Sequence, residues 1–449
     1  MAYEKRMNWE NLLNPIRFKV GSTMDPGSSE LRSDFERDYD RIIFSGPFRR
    51  LQDKTQVFPL PEEGFVHNRL THSLEVASVA RSLGRNVGKV LSSRHTDLQI
   101  NATDVGAITS AAALCHDIGN PPFGHAGEEA ISDFFKHDIA AQEFRGYMND
   151  AEWTDLTKFE GNAQGFRLLM REEGQGLRLT IPTLAAFSKY PKPVNTQGVK
   201  GRKSQKKYGF FQSEKEAFAQ LANSIGLLEI DGGWIRHPLT FLVEAADDIC
   251  YYLMDLEDGF NMGLISYEVT RDLMAALLKE DYRPAKLEQY PGTKERIGVL
   301  RALAIGKLIE ECSNKFLELE EDLLEGAFDQ ALTDVITSAD VLKKISKLSV
   351  EEIYRSKPVL GREASGFEVL SGLISRFSRA VFHKQFASDR LHAQDKVIFR
   401  LLPENAKWQL EQENVNLYSA LRIVIDVVSG MTDKEALIRY RTIFGIPLR

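Results

Sequence analysis

The chain has 449 residues, 43% of them hydrophobic and 27% charged, with a formal net charge of −7 at neutral pH. That balance suits a globular protein with a sizeable core and excludes a polycationic nucleic-acid binder as the default reading. Three widely spaced cysteines, Cys115, Cys250 and Cys312, make neither a disulfide framework nor a CxxC zinc pattern. With no apolar leader and no run approaching 18 uncharged apolar residues, a cytoplasmic protein without a membrane span is expected.

In chain order, the first extended signals are "TQVFPL" and "GFVHN" around 55–68. Helical period follows in 71–91, where Leu74, Val76, Ala77, Val79, Ala80, Leu83, Val87 and Val90 fall largely on one side. Residues 104–119 are nearly all apolar and predict a helix ending at Gly119, because Pro121 and Pro122 forbid its continuation. Between Lys189 and Lys207 stand seven basic residues and no acidic one, among prolines and glycines, which reads as a mobile, solvated loop. "KYGFFQ" (207–212) carries a strand signal, and "LLEIDGGWIRH" (227–237) reads as a small hairpin. A long helix is expected over 237–260, and amphipathic helices from about 265 to the end. The expected fold class is all-α with small β-hairpins and a helical C-terminal region.

Three of these helices carry potential metal ligands: His72 on the first, the adjacent His116 and Asp117 at the end of the second, and Asp247 or Asp248 on the third. Two imidazoles and two carboxylates form a mixed N/O set suited to Mn, Mg, Fe, Co, Ni or Zn. Neighbouring helical residues point about 100° apart, so His116 and Asp117 can share an ion only if it lies against the helix end. His67 is a rival to His72, and Asp248 is the weaker of the two aspartates. Asp247, Tyr251 and Asp255 recur every four residues and share one face, a polar stripe amid apolar neighbours that suits a pocket wall.

The order H…HD…D resembles the signature of the HD-domain metal phosphohydrolases, a helical superfamily. Longer segments are more specific: "FRRLQDKTQVFPL" (48–60), "HNRLTHSLEV" (67–76), "HDIGNPPFGHAGEEAI" (116–131), "FEGNAQGFRLL" (159–169), "TLAAFSKYP" (183–191) and "EAADDICYYLMDLEDG" (244–259). They resemble the deoxyguanosinetriphosphate triphosphohydrolase (dGTPase, or dNTPase) family, in family order, and "SGMTDKEAL" (429–437) is similar too.

The resemblance implies an HD-type catalytic core over 1–265 and a helical region over 266–449 that completes the active site and makes oligomer contacts. It implies hydrolysis of a deoxynucleoside triphosphate to a deoxynucleoside and inorganic triphosphate, with a divalent metal ion and control of the dNTP pool as the role. By the same resemblance His72, His116, Asp117 and Asp247 are the metal ligands, and His125 and Glu128 the catalytic pair. That pair also agrees with its i, i+3 spacing, whereas Glu129 faces away. Arg69, Asn162, Lys189, Tyr190 and Lys207 correspond to phosphate or sugar contacts. Tyr251 and Asp255 correspond to residues at the deoxyribose and its 3′-hydroxyl, and Gln56 to the residue at the base edge. An arginine from the C-terminal helices is also implied; Arg301 and Arg422 are guesses for it. Homo-oligomers (hexamers or tetramers) and an allosteric dNTP or single-stranded DNA site are further family properties. Two other readings compete: a different HD phosphohydrolase, such as a nucleotidase or phosphodiesterase, and a nucleic-acid or nucleotide sensor built on the basic 189–207 segment.

Overall fold

The computed structural model describes residues 6–19, 22–24, 32–57, 67–171, 177–196, 198–413 and 415–447. Its frame is helical, and the helices that build the site are α1 (Arg69–Arg94), α2 (Ala102–Cys115), α3 (His125–His137), α4 (Gly161–Met170), α5 (Ile181–Phe187), α6 (Pro238–Asn261), α7 (Thr293–Glu318), α8 (Lys357–Gln385), α9 (Leu417–Ser429) and α10 (Asp433–Phe444). Among the described residues, strands are confined to two antiparallel hairpins, β1 (Arg17–Lys19) with β2 (Ser22–Met24) and β3 (Glu229–Ile230) with β4 (Gly233–Trp234). No helix among the described residues is long and apolar enough to cross a membrane. All three cysteines are buried, unpaired thiols.

The close α1–α2 pair is the spine. Asn68 caps α1 through its side chain, which accepts from the Thr71 amide at 2.9 Å, so the helix begins at Arg69 and His72 falls in its first turn. Gly84 lets the two helices touch: a Cβ there would lie 2.3 Å from Thr109 Oγ1. With the backbones that near, Thr109 and Ser110 donate across the interface to the carbonyls of Ala80 and Ala77, at 2.8 and 3.0 Å. These two buried hydroxyls thus satisfy themselves on the partner helix. Helices α5, α6 and α7 pack around this pair.

One apolar cluster runs through α1, α2, α5, α6 and α7, with Leu83, Val87, Leu242 and Leu308 wholly buried. A second gathers α3, α8, α9 and α10 around Phe135, Phe377, Leu421 and Val424. Each such side chain contributes about 1.5–3 kcal/mol when removed from water.

Three local expectations need correction. Helix α2 ends at Cys115, with His116 as its C-cap, rather than at Gly119; His116 Nδ1 lies 2.7 Å from the Ala113 carbonyl, where it ends the helical ladder one turn early. The segment "KYGFFQ" is no strand: Phe210 makes a single parallel bridge to Pro193, and a 3-10 turn begins at Gln212. The basic segment is packed in part, with residues 191–194, Ser204 and Gln205 buried, while 198–201 and Lys206 are exposed as a solvated loop requires. The 227–237 hairpin and the 71–91 and 237–260 helices form as expected. Of the first extended pair, residues 58–66 lie outside the described residues; its ends, Thr55 and Asn68, are bridged antiparallel.

Candidate active site

A cavity of about 480 Å³ opens where the two clusters meet, lined by α1, α3, α4, α6 and α8 and by the turn after α2. Every site residue expected from sequence lines it except Asp255.

At its floor, donor atoms converge. Nε2 of His72 is 3.1 Å, and Nε2 of His116 3.5 Å, from Asp247 Oδ1, and His116 Nε2 is 3.5 Å from Asp117 Oδ2. One ligand atom each from His72, His116 and Asp117 lies within 4.8 Å of the other two. Second contacts orient these groups. The Ala113 carbonyl takes the Nδ1 proton of His116 and so leaves Nε2 with its lone pair. Arg69 at 2.7 Å and the Asn120 amide both hold Asp117 Oδ1, leaving Oδ2 turned inward.

His116 Nε2 and Asp117 Oδ2 are buried polar atoms without a hydrogen-bond partner. Such orphans are costly unless something binds them. Burial disfavours both carboxylates, yet Arg69, His116 and His72 hold Asp117 below its usual range, and His116 and His72 do the same for Asp247. The set therefore fits a divalent cation in donor type and in unmet valence. The rival His67 is elsewhere, its Nδ1 2.9 Å from Asp258 and its Nε2 3.3 Å from Glu75. Asp248 likewise turns away, accepting from the Thr333 hydroxyl at 2.6 Å.

The turn after α2 carries Phe123 at φ 63° and Gly124 at φ 62°. A side chain at Gly124 would meet the Arg69 guanidinium 3.0 Å away, so glycine meets both a backbone and a space requirement there. The turn delivers His125 as the first residue of α3, open to the cavity. His125 Nδ1 is 2.7 Å from Glu128 Oε2, and Glu128 Oε1 accepts from the Gly161 amide at 2.7 Å, so α4 braces the carboxylate that orients the imidazole. The Glu128 bond raises His125 above the ordinary imidazole range.

Cations ring the remaining wall. Lys207 bonds Glu160 at 3.1 Å, Asn162 donates to the same oxygen at 2.7 Å, and Lys189 pairs with Glu244 at 3.3 Å. Burial and the neighbouring Glu128 charge raise the Glu160 carboxyl. Gln56 contributes a buried Oε1 without a partner, and Tyr190 completes this side.

Asp255 stands behind the wall. Its carboxylate accepts the Tyr354 hydroxyl, and burial pushes it up to about 7. Tyr354, not Asp255, faces the cavity and stacks on Tyr251 at 5.9 Å.

Sequence reasoning also missed Arg362, on α8, whose Nε and Nη1 are buried without partners. Arg301 and Arg422 are not in the cavity: Arg301 pairs with Glu257, and Arg422 is buried over the Phe211 ring and donates to Gln164. Asn120 and Glu160 sit inside recognised motifs and were legible in principle; Tyr354 and Arg362 carry no local signal.

A family model described as "HD domain" matches residues 69–156. Over 98% of this chain and the whole of the relative, the sequence is 42% identical to a protein of Synechocystis sp. named deoxyguanosinetriphosphate triphosphohydrolase-like protein. A Pseudomonas aeruginosa protein of the same name is 37% identical over 98% of this chain and 99% of its own. A Yersinia enterocolitica protein named deoxyguanosinetriphosphate triphosphohydrolase is 31% identical over 93% of this chain and 94% of its own.

Proposed function

The chain belongs to the deoxyguanosinetriphosphate triphosphohydrolase-like family of HD-domain hydrolases, and from that premise we propose that it cleaves a deoxynucleoside triphosphate to a deoxynucleoside and intact inorganic triphosphate. The observation that carries this reading is one cavity holding the converging His72, His116, Asp117 and Asp247 donors, the His125–Glu128 pair and four cations, Arg69, Lys189, Lys207 and Arg362.

A divalent ion held by His72, His116, Asp117 and Asp247 would supply Lewis-acid stabilisation of charge on the α-phosphoryl group. In this reading water attacks the α-phosphorus and the bond from phosphorus to the 5′-oxygen breaks. His125, oriented through Nδ1 by Glu128, presents Nε2 to the departing oxygen and gives it a proton. Arg69, Arg362, Lys189 and Lys207 offset the charge of the triphosphate as it leaves. Tyr251 and Tyr354 form a wall against the sugar, and the unpartnered Gln56 oxygen faces the base. The region after 266 completes the site through Tyr354 and Arg362. Cytoplasmic action and a homo-oligomer belong to the same reading.

The sensor alternative is weakened because four of the seven basic residues of the segment, Lys189, Arg202, Lys203 and Lys207, pair with carboxylates. The test is product analysis with each dNTP and with GTP, in Mn or Mg, using Asp117→Ala as control. Deoxynucleoside plus triphosphate, absent in the variant, is expected, and the rates rank the bases. Orthophosphate or a monophosphate as product would overturn the reading in favour of another HD phosphohydrolase. Steeply salt-dependent nucleic-acid binding without turnover would favour the sensor.

A further inference from the structure

The residues "SGMTD" (429–433) between α9 and α10 lie far from the metal-ligand set in sequence and line no part of the cavity, yet two segments that lead into its wall, 50–55 and 120–123, converge on them. Asp433, the first residue of α10, accepts at Oδ2 from the Thr55 hydroxyl at 2.7 Å and the Thr55 amide at 3.3 Å. Its other oxygen, Oδ1, accepts from the Phe123 amide at 3.0 Å. Thr55 immediately precedes Gln56. Phe123 is two residues before His125 and holds the positive φ of 63° that a side chain rarely adopts. A residue in that region persists only when its surroundings over-determine it.

Lys54 adds a second tie. Only 3% exposed, its ammonium donates to the Asn120 carbonyl at 2.6 Å and to the Ser429 carbonyl at 2.9 Å. Arg50 holds the Gly430 carbonyl at 2.9 Å. The segment before Gln56 and the turn before His125 are thus joined twice, directly by Lys54 and again through the Asp433 carboxylate to which each is bonded.

We propose that Asp433 is a positioning residue that sets the base contact of Gln56 and the reach of His125 together, from the C-terminal helices. It touches neither substrate nor reacting atoms. Without it the strained Phe123 turn loses its one carboxylate tie and Thr55 loses both of its bonds, so the two ends of the substrate site loosen at once. A displacement of about 1 Å in such a frame costs on the order of a hundredfold in rate.

This inference rests on the triphosphohydrolase reading for its kinetic consequence but not for its structural one, and the experiment uses both. Asp433→Ala and Asp433→Asn are compared with the full-length parent by hydrogen exchange and, on dNTP turnover, by kcat, KM and base ranking. Exchange is expected to quicken about tenfold or more in peptides covering 54–57 and 120–125 together, with the α1–α2 core unchanged. In Asp433→Ala kcat falls and the ranking of the four dNTPs flattens. Asp433→Asn, whose amide oxygen still accepts from Phe123, recovers part of kcat. Loosening of one segment alone, or of neither, would overturn the proposal. A uniform rise in exchange with a lower melting temperature would also overturn it, leaving Asp433 a structural residue. A parent that releases no triphosphate sinks the functional reading alone, because the exchange result still decides what Asp433 holds.

Discussion

His125 illustrates how a residue acquires a task from its neighbours. An isolated imidazole titrates near pH 6.5, but the bond to Glu128 favours the charged ring, and the Gly161 amide keeps Glu128 in place for it. A raised value keeps the ring protonated to higher pH. Replacing Glu128 by Gln retains the shape and removes the charge, so the imidazole returns toward its ordinary range. The limb of the pH–rate profile that reports His125 should then move to lower pH, with kcat reduced about a hundredfold. A profile whose limbs stay in place would sever Glu128 from His125. The motif makes both residues legible, being only three apart. Asp255 shows the opposite case: periodicity puts it on the Tyr251 face, and Tyr354, 99 residues further on, covers it.

Helix α6 shows what a single cap does for an element. His237 is 1% exposed, accepts the Leu239 amide at Nδ1 (3.1 Å) and donates from Nε2 to the Leu12 carbonyl (3.0 Å), so the helix starts at Pro238 and Asp247 and Tyr251 reach the cavity. Burial pushes His237 down to about 4. The unfolded chain takes up this proton near pH 6.5 while the folded one resists until about 4, so the stability it contributes is present above pH 6.5 and lost as pH falls through that window. The loss amounts to about 3 kcal/mol. His237→Asn, which can still cap the helix, should flatten the pH dependence of the denaturation midpoint between 4 and 6.5; an unchanged slope would assign it to other groups. The basic 189–207 segment teaches the complementary lesson. Its lack of internal acids suggested solvation, but its partners are Glu160, Glu244, Asp329 and Asp334, which no local window contains.

At the scale of the whole molecule, α9 is tied to α4 and to Glu214 by a buried ionic knot outside the cavity lining. Asp426 on α9 meets Arg167 at 2.9 Å, Gln164 at 2.6 Å and Arg171, while Arg167 also reaches Glu214 at 2.7 Å. Burial disfavours the Asp426 carboxylate, but Arg167 and Arg171 outweigh it and hold it well below the usual range. Removing one member strands the others, so Asp426→Ala should lower unfolding free energy by about 3–5 kcal/mol. Paired with Arg167→Ala in a denaturant series, its effect should be less than additive by more than about 0.5 kcal/mol. Simple additivity would mean that the groups do not act as a unit.

Spacing determined the helical class and the long α1 and α6, and spacing together with the family resemblance determined the donors at 72, 116, 117, 125, 128 and 247, because helical period, side-chain chemistry and motifs are properties of short stretches. The entry of Arg362 and Tyr354 into the wall, the retreat of Asp255 and His67 from it, the pairing of the basic segment and the gathering of Thr55 and Phe123 on Asp433 were decided only by the tertiary structure. Those outcomes depend on which distant side chains share a buried volume, and there charge must be matched and polar atoms satisfied regardless of their separation along the chain.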